Sequence, residues 1–152
     1  MRFVKESFIS ASQTRVFAFH ELHDAVDRLI PPWETAEIIQ RADISEVGSR
    51  AVIDTKLFGL FTVRWIAEHT RYEPPYMFED VQISGPFSKW RHTHIVESRD
   101  DGALLRDEID YEPPLSLVGI LTAPLLIVPK LERLFAYRHE VTRSWCENPE
   151  FN

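Results

Sequence analysis

The run from Phe78 to His94, Phe-Glu-Asp-Val-Gln-Ile-Ser-Gly-Pro-Phe-Ser-Lys-Trp-Arg-His-Thr-His, leaves a chain few choices. Gly85-Pro86 sits near its middle, and that pair reverses a chain rather than extending it, so the run predicts two strands folded about a turn. After the turn, Lys89, Arg91 and Glu97 fall on one face of the second strand, and Trp90, His92, His94 and Val96 on the other. The first face suits water. The second carries an indole and two imidazoles, too polar for an ordinary core and too bulky for a surface that only needs solubility. Such a mixture suits the wall of a ligand cavity.

The flanking chain repeats the period of two. Residues 2–9 predict a first strand, and Ser10-Ala-Ser12 offers hydroxyl caps for a helix beginning near Gln13. Apolar side chains at helical spacing from Val16 to Ile30 predict two short helices, or one bent helix, ended by Pro31-Pro32. Strands are expected over Glu34–Arg41, Arg50–Leu57 and Phe61–His69, with Phe61, Val63, Trp65, Ala67 and His69 sharing a face and Pro74-Pro75 closing the last. Asp100-Asp101-Gly102 is a hairpin turn into Leu104–Tyr111, where Asp107 is the one acid on a side shared with Leu105, Ile109 and Tyr111. Beyond Pro113-Pro114 the period becomes helical. Pro129 is expected to open a long helix striped by Leu131, Leu134, Phe135, Arg138, Val141 and Trp145.

This order predicts an α+β fold: a curved antiparallel sheet of about six strands, two short helices after the first strand, and a long C-terminal helix laid across the concave side. One helix does not fill the space such a sheet encloses, so an internal cavity is expected. With 152 residues, 44% of them hydrophobic, the chain suits one domain over residues 1–152. The net charge of −7, with 17 Lys and Arg interspersed among 24 Asp and Glu, argues against a nucleic-acid partner. Cys146 is the only cysteine, which excludes an intramolecular disulfide and fits a reducing cytoplasm. Met1 leads into Arg-Phe-Val-Lys-Glu without the apolar core of a secretory signal, and no integral membrane segment is expected.

Several groups carry possible chemistry. His92 and His94, two apart on a strand, separate by roughly 6–7 Å on one side, a workable metal-ligand spacing if His69 or Asp107 supplies a third donor. The alternative is that neighbouring carboxylates hold both rings; we expect that pairing, with no metal and no cofactor. Were the strands consecutive antiparallel neighbours, Asp80, the two histidines and Asp107 would meet, as register-setting polar network or as acid–base machinery. Tyr111 then donates to a ligand carbonyl or satisfies Asp107. Phe61, Trp65 and Trp90 supply aromatic area on the concave side; Phe87 falls on the opposite side unless a bulge follows Gly85-Pro86. Leu115–Val128, apolar but broken by Gly119 and Pro124, is either a lid or plain core.

With those residues in hand, the chain resembles the START and polyketide-cyclase/dehydrase-like superfamily of helix-grip domains, SRPBCC. The resemblance spans nearly the whole chain and is carried by Pro31-Pro32, Trp65, Phe78-Glu-Asp80-Val-Gln82, Gly85-Pro-Phe87, Trp90-Arg-His92-Thr-His94, Asp107-Glu-Ile-Asp-Tyr111, Pro113 and Phe135-Ala-Tyr137-Arg138. It is particularly similar to small bacterial members sometimes labelled cell-division-inhibitor-like, which occur alone or attached to a nucleotide-sugar-epimerase-like dehydrogenase. The resemblance implies seven strands gripping the C-terminal helix and a cavity for lipids, sterols or polyketides. It also implies a possible oxidoreductase partner. The expected ligand-binding residues are Phe61, Trp65, Asp80, Trp90, His92, His94, Asp107, Tyr111 and Leu134. The leading expectation is binding or carriage of a hydrophobic or amphipathic molecule; the alternative is a cyclase or dehydratase using a His–Asp pair.

Overall fold

A computed structural model describes residues 1–57, 61–113 and 117–151, with backbone alone for residues 57, 117–124 and 151. Seven strands form one antiparallel sheet: β1 (Arg2–Ile9), β2 (Ala36–Gln40), β3 (Arg50–Leu57), β4 (Phe61–Glu73), β5 (Met77–Ser84), β6 (Lys89–Arg99) and β7 (Gly102–Glu112). Their spatial order is β1-β7-β6-β5-β4-β3-β2, so every neighbouring pair except β1/β7 is consecutive in the chain. Helices α1 (Gln13–His20) and α2 (Ala25–Arg28) follow β1, and α3 (Leu117–Glu147) follows β7. Ser12 caps α1 by accepting from the Arg15 amide.

Two elements run longer than the sequence reading. β4 continues four residues past His69, with its alternation inverted by an irregularity at His69/Arg71: Arg71 and Glu73 are exposed while Tyr72 packs against Phe17, ring centroids 5.9 Å apart. Register shifts at Ile66/Ala67 and His69/Arg71 add twist and help the sheet curl. The last helix begins at Leu117, not at Pro129. A proline removes one hydrogen bond to the carbonyl four residues back, and the helix-favouring neighbours carry the turn through Pro124 and Pro129. Of the apolar segment Leu115–Val128, residues 115 and 116 lie outside the described residues. Leu125 and Leu126 are strongly exposed, so that part is not plain core, whereas Ile127 packs inward.

The buried stripe of α3 runs Leu131, Phe135, His139, Thr142 and Cys146. The expected stripe lies mostly one position off: Leu134, Arg138, Val141 and Trp145 are half-buried flanks. This rotation matters because it turns His139 into the interior.

The interior is divided. One apolar cluster joins Ile9, Phe17, Phe19, Phe78, Val96 and Leu105 to Cys146 near the end of α3. A second joins Phe3, Trp90, Ile109, Tyr111, Leu131 and Phe135. Between them runs a polar belt, visible along each element: Leu105, Asp107, Ile109 on β7; Val96, His94, His92, Trp90 on β6; Cys146, Thr142, His139, Phe135 on α3.

Candidate functional site

The register builds the belt. Asp80 of β5 lies opposite His92 of β6, and His94 lies opposite Asp107 of β7, so side chains from three adjacent strands share the concave side. Asp107, only 3% exposed, is the hub. Its Oδ1 lies 3.0 Å from His92 Nε2 and 2.7 Å from His94 Nδ1, and its Oδ2 lies 2.7 Å from His139 Nε2. The His92 and His139 contacts are aligned hydrogen bonds. The His94 ring is close but out of line, so that contact is ionic. Behind His139, Ser7 Oγ lies 2.9 Å from Nδ1. On the other side, Asp80 Oδ2 is 3.6 Å from His92 Nδ1 and 3.7 Å from His94 Nε2.

Burial opposes charge on the His94 ring, but the carboxylates of Asp107 and Asp80 outweigh it and raise its pKa to about 9. Burial alone would lift Asp107; the positive His94 and hydrogen bonds from His139 and His92 instead hold it well below the usual carboxylate range. Asp80 is likewise depressed by His94 against its own burial. His92, His20 and His69 are shifted the other way, toward the neutral ring. Burial, then repulsion from His94, lowers His92 and takes His20 down to about 3; burial also lowers His69. One imidazolium thus sits between two carboxylates, its ring stacked on Phe78 at 4.0 Å. Arg138, whose Nε donates to the Leu29 carbonyl, brings a further, half-buried cation near them.

The aromatic wall lies beside the belt. Trp65 meets Trp90 edge-on at 5.0 Å and Phe87 at 5.7 Å, and Phe87 meets Tyr111 at 5.8 Å. Phe87 therefore joins the concave side despite its parity, because residues 85–88 form a loop tied down by Gln82, whose Nε2 donates to the Phe87 carbonyl at 2.7 Å. Leu134 flanks this cluster.

Of the expected site residues, Asp80, His92, His94 and Asp107 converge in the belt, and Trp65, Trp90, Tyr111 and Leu134 in or beside the wall. Phe61 stands apart at the start of β4, 67% exposed. The pairing of Tyr111 with Asp107 that the alternation allowed is not made: the three imidazoles occupy that carboxylate, and Tyr111 packs among rings. Sequence reading missed His139, Ser7 and His20. His139 stands four residues after Phe135, a spacing that puts both on one face, but which face of α3 turns inward is set by how the helix meets the sheet.

Two clefts stand out among the described residues, and neither contains an expected site residue. One of about 380 Å³ lies beside Phe19, Tyr137 and Trp145; the other, of about 370 Å³, lies between Ser10–Gln13 and Ser98–Gly102. Next to the belt Phe135 projects from α3, 5.2 Å from the His92 ring and 5.6 Å from Phe3. No described helix is long and apolar enough to cross a membrane.

The fold is shared with solved structures. The chain is similar to the di-domain ARO/CYC protein StfQ of the steffimycin biosynthetic pathway, with TM-score 0.75 and 13% identity over 96% of this chain and 50% of that one. A START superfamily protein of Mycobacterium smegmatis aligns at TM-score 0.70 and 15% identity, over 96% of this chain and 97% of that one. A nucleoside-diphosphate sugar epimerase of Corynebacterium glutamicum aligns at TM-score 0.68 and 22% identity, over 94% of this chain but 28% of the epimerase. No curated protein matches the chain significantly in sequence. A family model described as polyketide cyclase / dehydrase and lipid transport matches residues 9–130, and the chain belongs to that family.

Proposed function

We propose that the chain binds a hydrophobic or amphipathic small molecule against the wall formed by Trp65, Phe87, Trp90 and Leu134, with the polar atoms of the ligand directed at Asp80, His92 and His94. The carrying observation is the abutment of that aromatic wall on a charged belt inside one core: Trp90 lies 6.4 Å from His92, ring to ring. Membership of a family whose description includes lipid transport supports the same reading. Exposed Phe61, four residues before Trp65, and exposed Leu125 and Leu126, next to Ile127 of the wall cluster, support entry at that end. Burying roughly 300 Å² of apolar ligand surface contributes on the order of 7 kcal/mol, and micromolar binding is expected where hydrogen bonds to the belt offset the ordering costs.

The amphipathic aromatic probe anilinonaphthalene sulfonate tests this. Saturable one-to-one binding that shifts the indole N–H resonances of Trp65 and Trp90 is expected, and Trp65→Ala is expected to weaken it about tenfold or more. Binding that Trp65→Ala leaves untouched, or that shifts neither indole, would place the probe elsewhere and contradict the reading.

A second reading is acid–base catalysis of the cyclase or dehydratase kind, favoured by the aligned 3.0 Å bond between His92 and Asp107. Its test is turnover of a β-hydroxyketone: His92→Gln is expected to lower kcat if the ring moves protons, whereas wild-type protein that binds the compound without converting it points to a carrier. The alignment with part of the Corynebacterium epimerase also supports a partner of the nucleotide-sugar-epimerase-like kind for this chain.

A further inference from the structure

We propose that Asp80, His92 and His94 form a binding site for a divalent transition metal of the zinc type, with Asp107 as the carboxylate behind both histidines. The three donor atoms lie within 4.8 Å of one another. Asp80 Oδ2 stands 3.6 Å from His92 Nδ1 and 3.7 Å from His94 Nε2, separations too long for hydrogen bonds. They approach those that an ion imposes on its ligands: metal–ligand bonds of about 2.0–2.1 Å in a tetrahedron set the donors roughly 3.3–3.4 Å apart. A contraction of a few tenths of an ångström brings Asp80 into place against each ring, and the two histidine nitrogens, within 4.8 Å of the other donors, close by up to about 1.4 Å on binding.

The outer arrangement is already in place. A histidine on zinc nearly always turns its other ring nitrogen to a carboxylate, which fixes the tautomer and aims the lone pair. Asp107 Oδ1 does this to His92 through an aligned bond of 3.0 Å to Nε2 and lies 2.7 Å from His94 Nδ1 as an ionic contact, leaving His92 Nδ1 and His94 Nε2 on the Asp80 side. Asp107 is in turn anchored by His139, and His139 by Ser7. Phe78, stacked on His94 with 12° between the rings, holds that imidazole in plane.

Rigidity and access also fit. Asp80 and His92 are register partners on β5 and β6, and His94 follows two residues on, so no loop movement is needed to assemble the ligands. The Asp80 and His94 side chains keep 14% and 12% exposure, enough for an ion to enter and hold a water. Beside Asp80 across β4/β5, His69 has a buried Nδ1 with no hydrogen-bond partner among the described residues. A metal-bound water is a suitable partner for it. Two nitrogens and one carboxylate oxygen suit Zn²⁺, and the same donors take Co²⁺. An ion here replaces any proton held between the two carboxylates.

Protein stripped with chelator and dialysed is titrated with Zn²⁺ by calorimetry and with Co²⁺ by visible absorption. The expected result is one ion per chain, Co²⁺ bands of a low-coordinate nitrogen–oxygen site, and Zn²⁺-induced shifts of the His92 and His94 ring resonances in the unaltered protein. Asp80→Asn is expected to weaken Zn²⁺ by about a hundredfold, and Asp107→Asn by about 10–100-fold, with circular dichroism checking the fold. Absence of stoichiometric binding, shifts confined to other histidines, or unchanged affinity in folded Asp80→Asn would overturn the proposal. The NMR readout keeps the test decisive even if a variant fails to fold.

Discussion

Asp107 keeps a charge inside the core because three imidazoles surround it. Asp107→Asn removes the carboxylate and leaves His94 facing Asp80 alone, so urea unfolding near neutral pH should show a loss of about 3–5 kcal/mol. The pH dependence has a definite sign on each side. The folded pKa of His94 is raised from 6.5 to about 9, so its contribution is fully present below pH 6.5 and lost as pH rises through 9. His20, His69 and His92 are lowered, so the unfolded chain takes up protons there first and stability falls as pH drops below 6.5. Asp80 and Asp107, both depressed, add stability above the carboxylate value of 3.8 that is lost as pH falls through their folded values. Denaturant midpoints measured with chelator present should therefore peak near pH 6.5–7 and decline on both sides. A midpoint that keeps rising to pH 9 would remove the imidazolium from between the carboxylates.

The elements differ in how much of them local sequence specifies. Strands β3 and β6 and the turn at Asp100-Asp101-Gly102 were legible because a period of two and a turn signal are written within a few residues. The convergence of Asp80, His92, His94 and Asp107 was legible as well, since consecutive antiparallel strands fix their register. Phe87 and His139 were not. The first depends on Gln82 holding a loop, the second on the angle at which α3 meets the sheet, and neither is local. Helix α3 also shows two regimes that a truncation experiment separates. Phe135, 1% exposed against His92 and Phe3, should cost about 3–5 kcal/mol as Phe135→Ala, whereas Leu125→Ala, at a side chain 78% exposed, should stay within about 0.5 kcal/mol. Equal losses at both positions by thermal or urea unfolding would mean that Leu125 is covered in solution.

At the scale of the whole molecule, a seven-stranded sheet and one long helix enclose two apolar clusters divided by a belt of histidine and aspartate. A core built only for stability gains little from such a belt, because burying charge costs more than packing hydrocarbon in its place. On the binding function proposed above, its position beside Trp90 and Phe135 links the fold to recognition: apolar area on one side would supply affinity, and the belt would select the polar end of the ligand. Native mass spectrometry of the protein, purified and then offered an extract of amphipathic small molecules, asks this directly. A complex with one organic molecule per chain, dissociated under denaturing spray and weakened in Trp65→Ala, is the predicted result; a bare chain that takes up nothing from the extract would contradict it.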